Sequence, residues 1–249
     1  MTQREVRDIT FAQLAVDLNC APETLKGAQD ALVFVEAGDN PGRRPFPRGD
    51  SHFEMVGAGR SIVVFATPDI LGTAQKLLEG KPRDEVFSMP FVRGLSHYFL
   101  PDLARIAPLP APESLSFEMV ERGGIPRLYE LEGFRNAVQY DSSHLRPDVL
   151  AVLAKDAGRV VGVAGASVDC ARMWQIGIDV LPEYRRRGVA AYIVNRLALE
   201  ILERGFVPYY GTSSANVASQ RVAYRAGFEA TWVCAYSGLF GGIATSPTG

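Results

Sequence analysis

The amino-acid sequence predicts a mixed α/β (α+β) fold, and three patterns support this class. Short apolar runs of the kind found in buried strands occur in both halves of the chain. In the second half they alternate with segments whose apolar residues recur at helical spacing, and Asp156-Ala157-Gly158 between two runs is a hairpin signal. The 249 residues, 47% hydrophobic and 22% charged, suffice for one large domain or two of ordinary size.

The N-terminal half mixes strands and helices. Buried strands are predicted at Ala31–Glu36 and Ser61–Ala66. Thr67 and Pro68 then predict the start of a helix, as its N-cap and first helical residue, and Gly80 ends it.

Two further segments of this half carry a different signal. Asn40–Asp50 is too rich in proline and glycine for a helix or the interior of a sheet. Its arginines, Arg43, Arg44 and Arg48, are predicted to be solvated loop charges, with binding of an anionic ligand or contact with the other half of the chain as alternatives. Phe87–Leu100 carries apolar residues at helical spacing and is predicted to belong to the core.

A proline-rich connector divides the chain. Four prolines lie between positions 101 and 112, too many for a regular element. We therefore place a domain boundary near Pro112, with an N-terminal α/β domain over 1–112 and a second domain over 113–249.

The second half alternates strand and helix more clearly. The predicted strands are Val149–Lys155, Arg159–Val168, Arg172–Val180, Phe206–Tyr210 and Phe228–Tyr236. Helices are predicted over Val189–Glu203 and Asn216–Ala226, and Gly205 and Gly227 end them.

The composition argues against several classes of function. Acidic residues (28) nearly balance basic ones (26), and the formal charge of −2 argues against nucleic acid or a membrane surface as partner. The three cysteines, Cys20, Cys170 and Cys234, lie far apart, which predicts reduced thiols and a cytoplasmic protein. No histidine shares a metal-ligand spacing with them, so no metal site is predicted. Neither a signal peptide nor a bilayer-spanning segment is predicted, because the start is charged and the apolar runs are short.

The stretch from Val180 to Ala190 is the most informative part of the chain. An apolar strand runs through a proline turn into Arg185-Arg186-Arg187-Gly188, and an amphipathic helix follows at once. Free backbone N–H groups at a helix start, a glycine that lets the backbone approach and nearby arginines are what a pyrophosphate needs.

This stretch resembles a known motif. Arg185-Arg-Arg-Gly-Val-Ala190 is similar to motif A of the GCN5-related N-acetyltransferases (GNAT), Arg/Gln-x-x-Gly-x-Gly/Ala, which binds acetyl-CoA. Asn216–Phe228 resembles the family's Asn-x-x-(Ala/Ser)-x-x-x-x-Tyr-x-x-x-Gly-Phe, with one residue fewer between Tyr224 and Gly227. The resemblance implies a mostly antiparallel central sheet flanked by helices, acetyl-CoA as co-substrate, no metal, and a small-molecule primary amine as acceptor.

The resemblance also implies a set of coenzyme-binding residues. These are Ile178, Val180, Arg185, Arg186, Arg187, Gly188, Val189, Ala190, Asn216 and Ser219. The strand that ends at Val180 is expected to separate from its neighbour so that the pantetheine arm lies along the open edge. The N–H of Val180 would then donate to the thioester oxygen as it becomes an oxyanion.

Two side chains are candidates for proton transfer. Tyr224 would protonate the departing thiolate. Asp179 would take the proton of the acceptor amine through a water, provided that Ile178 and Val180 face the core and Asp179 the cleft. A structural role for Asp179, as partner of a nearby arginine, is equally compatible with the sequence.

The first half and the exact reaction allow alternatives. That half, including Asn40–Arg44, is similar to the two-part acetyltransferases of the zwittermicin-resistance type, and one interpretation makes it a degenerate copy of the same fold. A coenzyme-binding or interaction module without turnover remains an alternative, because no unambiguous general base stands out. A tandem acyltransferase that uses aminoacyl-tRNA is a second one, although the acidic balance disfavours it. The oligomeric state stays open, a homodimer included.

Overall fold

The computed structural model describes residues 1–27, 30–45 and 51–236. Its helices are α1 (Gln3–Asp17), α2 (Pro22–Leu25), α3 (Pro68–Leu78), α4 (Arg83–Ser88), α5 (Val189–Glu203) and α6 (Val217–Arg225), with short 3-10 helices at Arg122–Leu128 and Pro182–Tyr184. Its strands are β1 (Ala31–Glu36), β2 (Phe53–Ala58), β3 (Ser61–Ala66), β4 (Arg93–Pro101), β5 (Ser116–Glu121), β6 (Asp148–Asp156), β7 (Arg159–Val168), β8 (Met173–Val180), β9 (Val207–Ser213) and β10 (Phe228–Tyr236).

The chain forms two compact units. Unit 1 comprises Met1–Ile9, Phe99–Thr212 and Asn216–Ala230. Unit 2 takes in the described residues of Thr10–Tyr98, Ser213–Ala215 and Thr231–Gly249. The boundary near Pro112, between domains 1–112 and 113–249, stays a prediction.

Unit 1 is built around a sheet in the order β5–β6–β7–β8–β9, antiparallel except for the parallel pair β8–β9. Strands β6 and β7 form the predicted hairpin, and positive φ angles at Ala157 (45°) and Gly158 (88°) give the tight turn. Helix α5 packs on one face, where Ile193, Val194 and Leu197 lie in the core with the strands.

Unit 2 is a second mixed α/β arrangement, with strands in the order β1–β3–β2–β10–β4. β1 runs parallel to β3, whereas β3–β2 and β2–β10 are antiparallel. Helix α3 begins at Pro68, as predicted, and buries Ile70, Ala74 and Leu78. Thr67 makes no side-chain cap to α3, and its hydroxyl instead accepts a hydrogen bond from the N–H of His52 (3.0 Å).

The predicted fold class is confirmed, since mostly antiparallel sheets flanked by helices make up both units. Phe87–Leu100 contributes to the core as predicted, since Phe91, Phe99 and Leu100 are buried. The segment is helical only to Ser88, and β4 begins at Arg93. Within the described ranges, no helix has the length and apolar character needed to cross a bilayer.

Candidate functional site

Strands β8 and β9 separate part of the way along unit 1. Their ladder pairs Met173–Ile176 with Val207–Tyr210 and then ends. On its other edge, β8 stays paired with β7 as far as Val180, which lies opposite Gly162. We call the point beyond Ile176 and Tyr210 the fork.

The backbone groups that β8 presents at the fork follow from the hydrogen bonds around it. The N–H of Leu181 donates to the carbonyl of Val161 on β7 (3.0 Å). Because N–H and C=O groups of successive residues alternate between the two edges of a strand, those of Val180 and Ile178 point to the edge that β9 has left. In agreement, the carbonyl of Val180 accepts a hydrogen bond from Nε of Arg185 (3.0 Å).

Arg185–Gly188, which we call the arginine turn, is exposed and leads into α5. Arg186 has φ of +62°, uncommon for a bulky residue, and Gly188, the N-cap, has φ of +83°. A Cβ atom on Gly188 would meet no atom of the protein within 4 Å. Glycine therefore serves the backbone conformation here, and the space beside it is open.

The start of α5 offers unused backbone donors. The first N–H bonded within the helix is that of Tyr192, to the carbonyl of Gly188 (3.0 Å). The N–H groups of Val189 and Ala190 precede it and have no acceptor in the helix, as at any helix start. The Val189 side chain is 1% exposed and fixes the helix start against the core. Such a terminus favours an anion through its N–H groups and the helix dipole.

The arginine side chains lie around the turn with different partners. Arg185 bonds the Val180 carbonyl. The guanidinium of Arg187 lies 5.3 Å from the centroid of the Tyr184 ring, and the hydroxyl of Tyr184 donates to Asp156 (2.6 Å). Both arginines are thereby oriented while they remain exposed.

Helix α6 begins beside the fork. Asn216 is its N-cap, and its Oδ1 accepts from the N–H of Ser219 (3.1 Å). The hydroxyl of Ser219 lies 2.5 Å from that of Tyr210, the last paired residue of β9. Burial raises the pKa of Tyr210 to about 12. The Ser219 side chain thus ties α6 to β9, a partnership that the sequence did not indicate.

Tyr224 lies on the exposed side of α6. It is 52% exposed, and its ring meets the ring of Phe99 edge-on at 5.3 Å between centroids. α6 ends at Arg225, and Gly227 follows its C-cap with φ of +93°, where an added Cβ would lie 2.8 Å from Ile106. The Tyr224 side chain is therefore accessible to a ligand of unit 1.

Asp179 lies on the opposite face of β8 from α5, whereas Ile178 and Val180 pack toward α5. Its Oδ2 accepts from the backbone N–H groups of Asn136 (2.7 Å) and Ala137 (3.0 Å). Its Oδ1 accepts from Nδ2 of Asn136 (2.8 Å). These partners are backbone and amide groups and not the arginine that the structural interpretation of the sequence expected.

Two glycines of the site were missed in the sequence. Gly165 on β7 and Gly177 on β8 are register partners. A Cβ on Gly165 would lie 2.1 Å from the carbonyl oxygen of Ala137, and one on Gly177 would lie 1.9 Å from that of Asn136. Glycine inside an apolar strand is a recognisable sign of a close backbone approach.

The chain that follows the 136–137 peptide is also fixed. Oδ2 of Asp148 accepts from the N–H groups of Gln139 and Tyr140 (both 2.7 Å). Burial raises the pKa of Asp148 to about 6. Arg146 is 7% exposed and pairs with the buried Asp169 (2.9 Å). These buried polar groups escaped sequence analysis because their partners are remote in the chain.

The site contains no grouping typical of a metal centre. Among the residues that the structure describes, no three His, Cys, Asp or Glu side chains are grouped so that they could hold a metal ion.

One comparison with known proteins matches part of the chain to a family. Residues 115–228 match the model of the acetyltransferase (GNAT) family. No curated protein matches the chain. The similarity to the zwittermicin-resistance type stays a prediction.

Similar solved structures include three acetyltransferases or acetyltransferase-like proteins. A GCN5-related N-acetyltransferase-like protein from Streptococcus suis is 21% identical, with a TM-score of 0.48 over 76% of this chain and 84% of its own. A GCN5-related N-acetyltransferase from Sphaerobacter thermophilus is 13% identical, with a TM-score of 0.48 over 74% of this chain and 75% of its own. AAC(6')-Iy, solved with the bisubstrate analogue CoA-S-monomethyl-acetylneamine, is 24% identical, with a TM-score of 0.37 over 47% of this chain and 92% of its own. The fork, the arginine turn, α5 and α6 all lie within residues 115–228, the segment that matches the model of the acetyltransferase (GNAT) family.

Proposed function

We propose that this chain is an N-acetyltransferase that transfers an acetyl group from acetyl-CoA to a primary amine by direct attack. One observation carries the proposal: a strand fork opens into an exposed arginine turn at a helix start, within the segment that matches the GNAT family. An open strand edge suits the amide-bearing pantetheine arm, and the helix start suits the pyrophosphate.

The pyrophosphate is proposed to bind at the arginine turn. The N–H groups of Gly188, Val189 and Ala190 would donate to its oxygens, helped by the positive end of the helix dipole. The open space beside Gly188 leaves room for this approach. The guanidinium groups of Arg185, Arg186 and Arg187 would add charge around the phosphates.

The thioester is proposed to lie along the open edge of β8. The N–H groups of Ile178 and Val180 point there, and Val180 would donate to the thioester oxygen as negative charge develops on it. The carbonyl of Val180 is occupied by Arg185, which leaves its N–H as the group for the coenzyme. Asn216 would reach the coenzyme from the start of α6, next to Ser219.

The reaction needs one bond formed and one broken. The amine nitrogen attacks the thioester carbon, the C–S bond breaks, and the pair of electrons leaves on sulfur. Tyr224 is proposed to donate a proton to that thiolate. Because a thiol has a pKa of about 8.5, the thiolate is a good leaving group and this assistance is modest. The amine must be neutral when it attacks, and the proton that its nitrogen releases as the amide forms is proposed to pass to solvent water.

The proposal extends to partners and place of action. We propose a small-molecule amine as acceptor, no nucleic-acid or membrane partner, no metal, and a cytoplasmic location. The near balance of 28 acidic and 26 basic residues supports the absence of a polyanionic partner.

Calorimetric titration with acetyl-CoA, combined with a thiol-release assay over a panel of primary amines, tests this function. We expect saturable binding of acetyl-CoA and thiol release that depends on the amine. Failure to bind acetyl-CoA would refute the proposal. Strong salt dependence together with activity on aminoacyl-tRNA would instead favour the tandem acyltransferase.

One observation favours a second candidate, a coenzyme-binding module without turnover. Asp179, the carboxylate nearest the proposed thioester in sequence, already accepts three hydrogen bonds from Asn136 and Ala137. Binding of acetyl-CoA without thiol release from any amine would support this candidate.

A further inference from the structure

We propose that Asp179 is a positioning residue, which holds the Asn136–Ala137 peptide against the sheet beside the fork and does not take the proton of the acceptor amine. Its effect on catalysis rests on the proposed function. The attachment of the peptide to Asp179 does not depend on that function, and amide hydrogen exchange at residues 136 and 137 measures it separately.

The carboxylate of Asp179 is committed to this peptide through both oxygens. Oδ2 lies between the backbone N–H groups of Asn136 (2.7 Å) and Ala137 (3.0 Å), and Oδ1 accepts from Nδ2 of Asn136 (2.8 Å). Hydrogen bonds to an ionised group are about twice as strong as neutral ones. The arrangement fills three of about four acceptor positions of a carboxylate. A carboxylate that takes the proton of the amine needs an unoccupied acceptor position directed at the amine or at a bridging water, and Asp179 uses most of its positions to bind the peptide.

The same peptide is held from its other side by the sheet. The carbonyl oxygens of Asn136 and Ala137 lie where Cβ atoms of Gly177 and Gly165 would stand, at 1.9 Å and 2.1 Å. The two glycines are neighbours across β7 and β8. The contact is therefore possible only because both positions lack a side chain, and Asp179 draws the peptide into it.

The attachment lies where it can affect the reaction. Asp179 and Gly177 belong to the part of β8 that β9 has left, and Asp179 stands between Ile178 and Val180, whose N–H groups face the proposed thioester. Downstream, Asp148 and Arg146 hold residues 139–148 to the same unit. The peptide is thus one end of a fixed wall beside the fork, on the face away from α5. Loosening it should disturb the approach of the amine more than the binding of acetyl-CoA.

The two roles of Asp179 can be separated because asparagine has nearly the same shape. In Asp179→Asn, the new Oδ1 can accept from both backbone N–H groups, and the new Nδ2 can donate to Asn136 once that amide turns over. All three hydrogen bonds can still form, as weaker neutral ones, whereas the asparagine amide cannot take the proton of the amine. Asp179→Ala removes both functions at once.

The experiment compares the wild type with Asp179→Asn and Asp179→Ala by steady-state kinetics across pH and by amide hydrogen exchange at residues 136 and 137. We expect Asp179→Asn to retain the wild-type kcat, amine KM and pH profile within about threefold, with slow exchange at both amides. Asp179→Ala should raise the amine KM about tenfold or more, leave the KM for acetyl-CoA within about threefold, and accelerate exchange, since it removes all three hydrogen bonds to the peptide.

Gly177→Ala is the matched control, because it keeps Asp179 and all its donors but places a methyl group against the Asn136 oxygen. It should reproduce the amine defect and the fast exchange of Asp179→Ala. If Asp179→Asn loses activity or its pH profile while exchange at 136 and 137 stays slow, Asp179 is the proton acceptor and the inference is overturned.

The outcome stays decisive in two difficult cases. If Asp179→Ala does not fold by circular dichroism, Asp179→Asn and Gly177→Ala still separate the two roles. If no amine is acetylated by the wild type, the proposed function fails on its own, while fast exchange in Gly177→Ala and slow exchange in Asp179→Asn would still support the attachment.

Discussion

Ile176 and Tyr210 are the last residues that pair β8 with β9, and the hydroxyl of Tyr210 meets that of Ser219 on α6 at 2.5 Å. The residue that closes the parallel ladder is thus also the one that attaches α6. Burial raises the pKa of Tyr210 to about 12, so the phenol stays neutral at physiological pH. The position of α6, with Asn216 and Tyr224 on it, is therefore fixed at the fork itself.

Tyr210→Phe tests this attachment. The variant leaves Ser219 without its phenol partner in a site where Tyr210 is only 1% exposed, so we expect a loss of about 1–2 kcal/mol in the free energy of unfolding. Urea denaturation measures it. The double variant with Ser219→Ala should lose less stability than the sum of the losses in the two single variants. A loss equal to that sum would show that the two hydroxyls do not interact.

Gly188→Trp tests the phosphate site. An indole at this position would fill the open space beside the arginine turn, and we expect calorimetry to detect no binding of acetyl-CoA while circular dichroism stays that of a folded protein. Gly188→Ala is the control, because it shares the strain of a positive φ but adds only one methyl group. Equal affinity of the Trp variant and the wild type would place the pyrophosphate elsewhere.

Tyr224→Phe tests the proposed general acid. Since the side chain is 52% exposed, we expect no measurable change in unfolding and little change in affinity for acetyl-CoA. The rate of thiol release should fall roughly tenfold, less than the roughly 10²–10⁴-fold typical of general acid catalysis, because a thiolate leaves readily. A normal rate at saturating amine would remove Tyr224 from the reaction.

The parts of the site that the sequence predicts are those governed by local chemistry. Gly158 in the hairpin and Gly188 at the helix start both have positive φ, which the residue type indicates by itself. The start of α3 at Pro68 follows from the same kind of rule. Each of these depends on a few neighbouring residues.

The parts that the sequence does not predict depend on remote partners. Arg44, expected in solvent, is 5% exposed and pairs with Asp17 at 2.5 Å, a residue 27 positions away. Arg48, expected to behave likewise, lies outside the described residues. A glycine at position 177 indicates a close approach of other backbone, but no nearby residue in the sequence identifies that backbone as Asn136. The apolar spacing in Phe87–Leu100 places the segment in the core but does not reveal the start of β4 at Arg93, because β4 takes its conformation from the sheet.

Asp148 should make the stability of the protein depend on pH. Burial, against the hydrogen bonds from Gln139 and Tyr140, raises its pKa from 3.8 to about 6. The folded state therefore binds the proton more tightly than the unfolded state, so the contribution of this group is complete below pH 3.8 and is lost as pH rises toward 6. The loss is at most about 3 kcal/mol, from a shift of roughly two pKa units.

Asp148→Asn isolates this contribution, because the amide oxygen of asparagine can still accept from both N–H groups. Relative to the wild type, the variant should gain stability as pH rises from 4 to 6 and show a constant difference from 7 to 8, since other titrating groups cancel in the comparison. Urea unfolding of both proteins at pH 4, 5, 6, 7 and 8 measures the difference. If the variant instead loses stability relative to the wild type as pH rises from 4 to 7, the hydrogen bonds from residues 139 and 140 outweigh burial. The folded protein then stabilises the charged form of the Asp148 carboxylate.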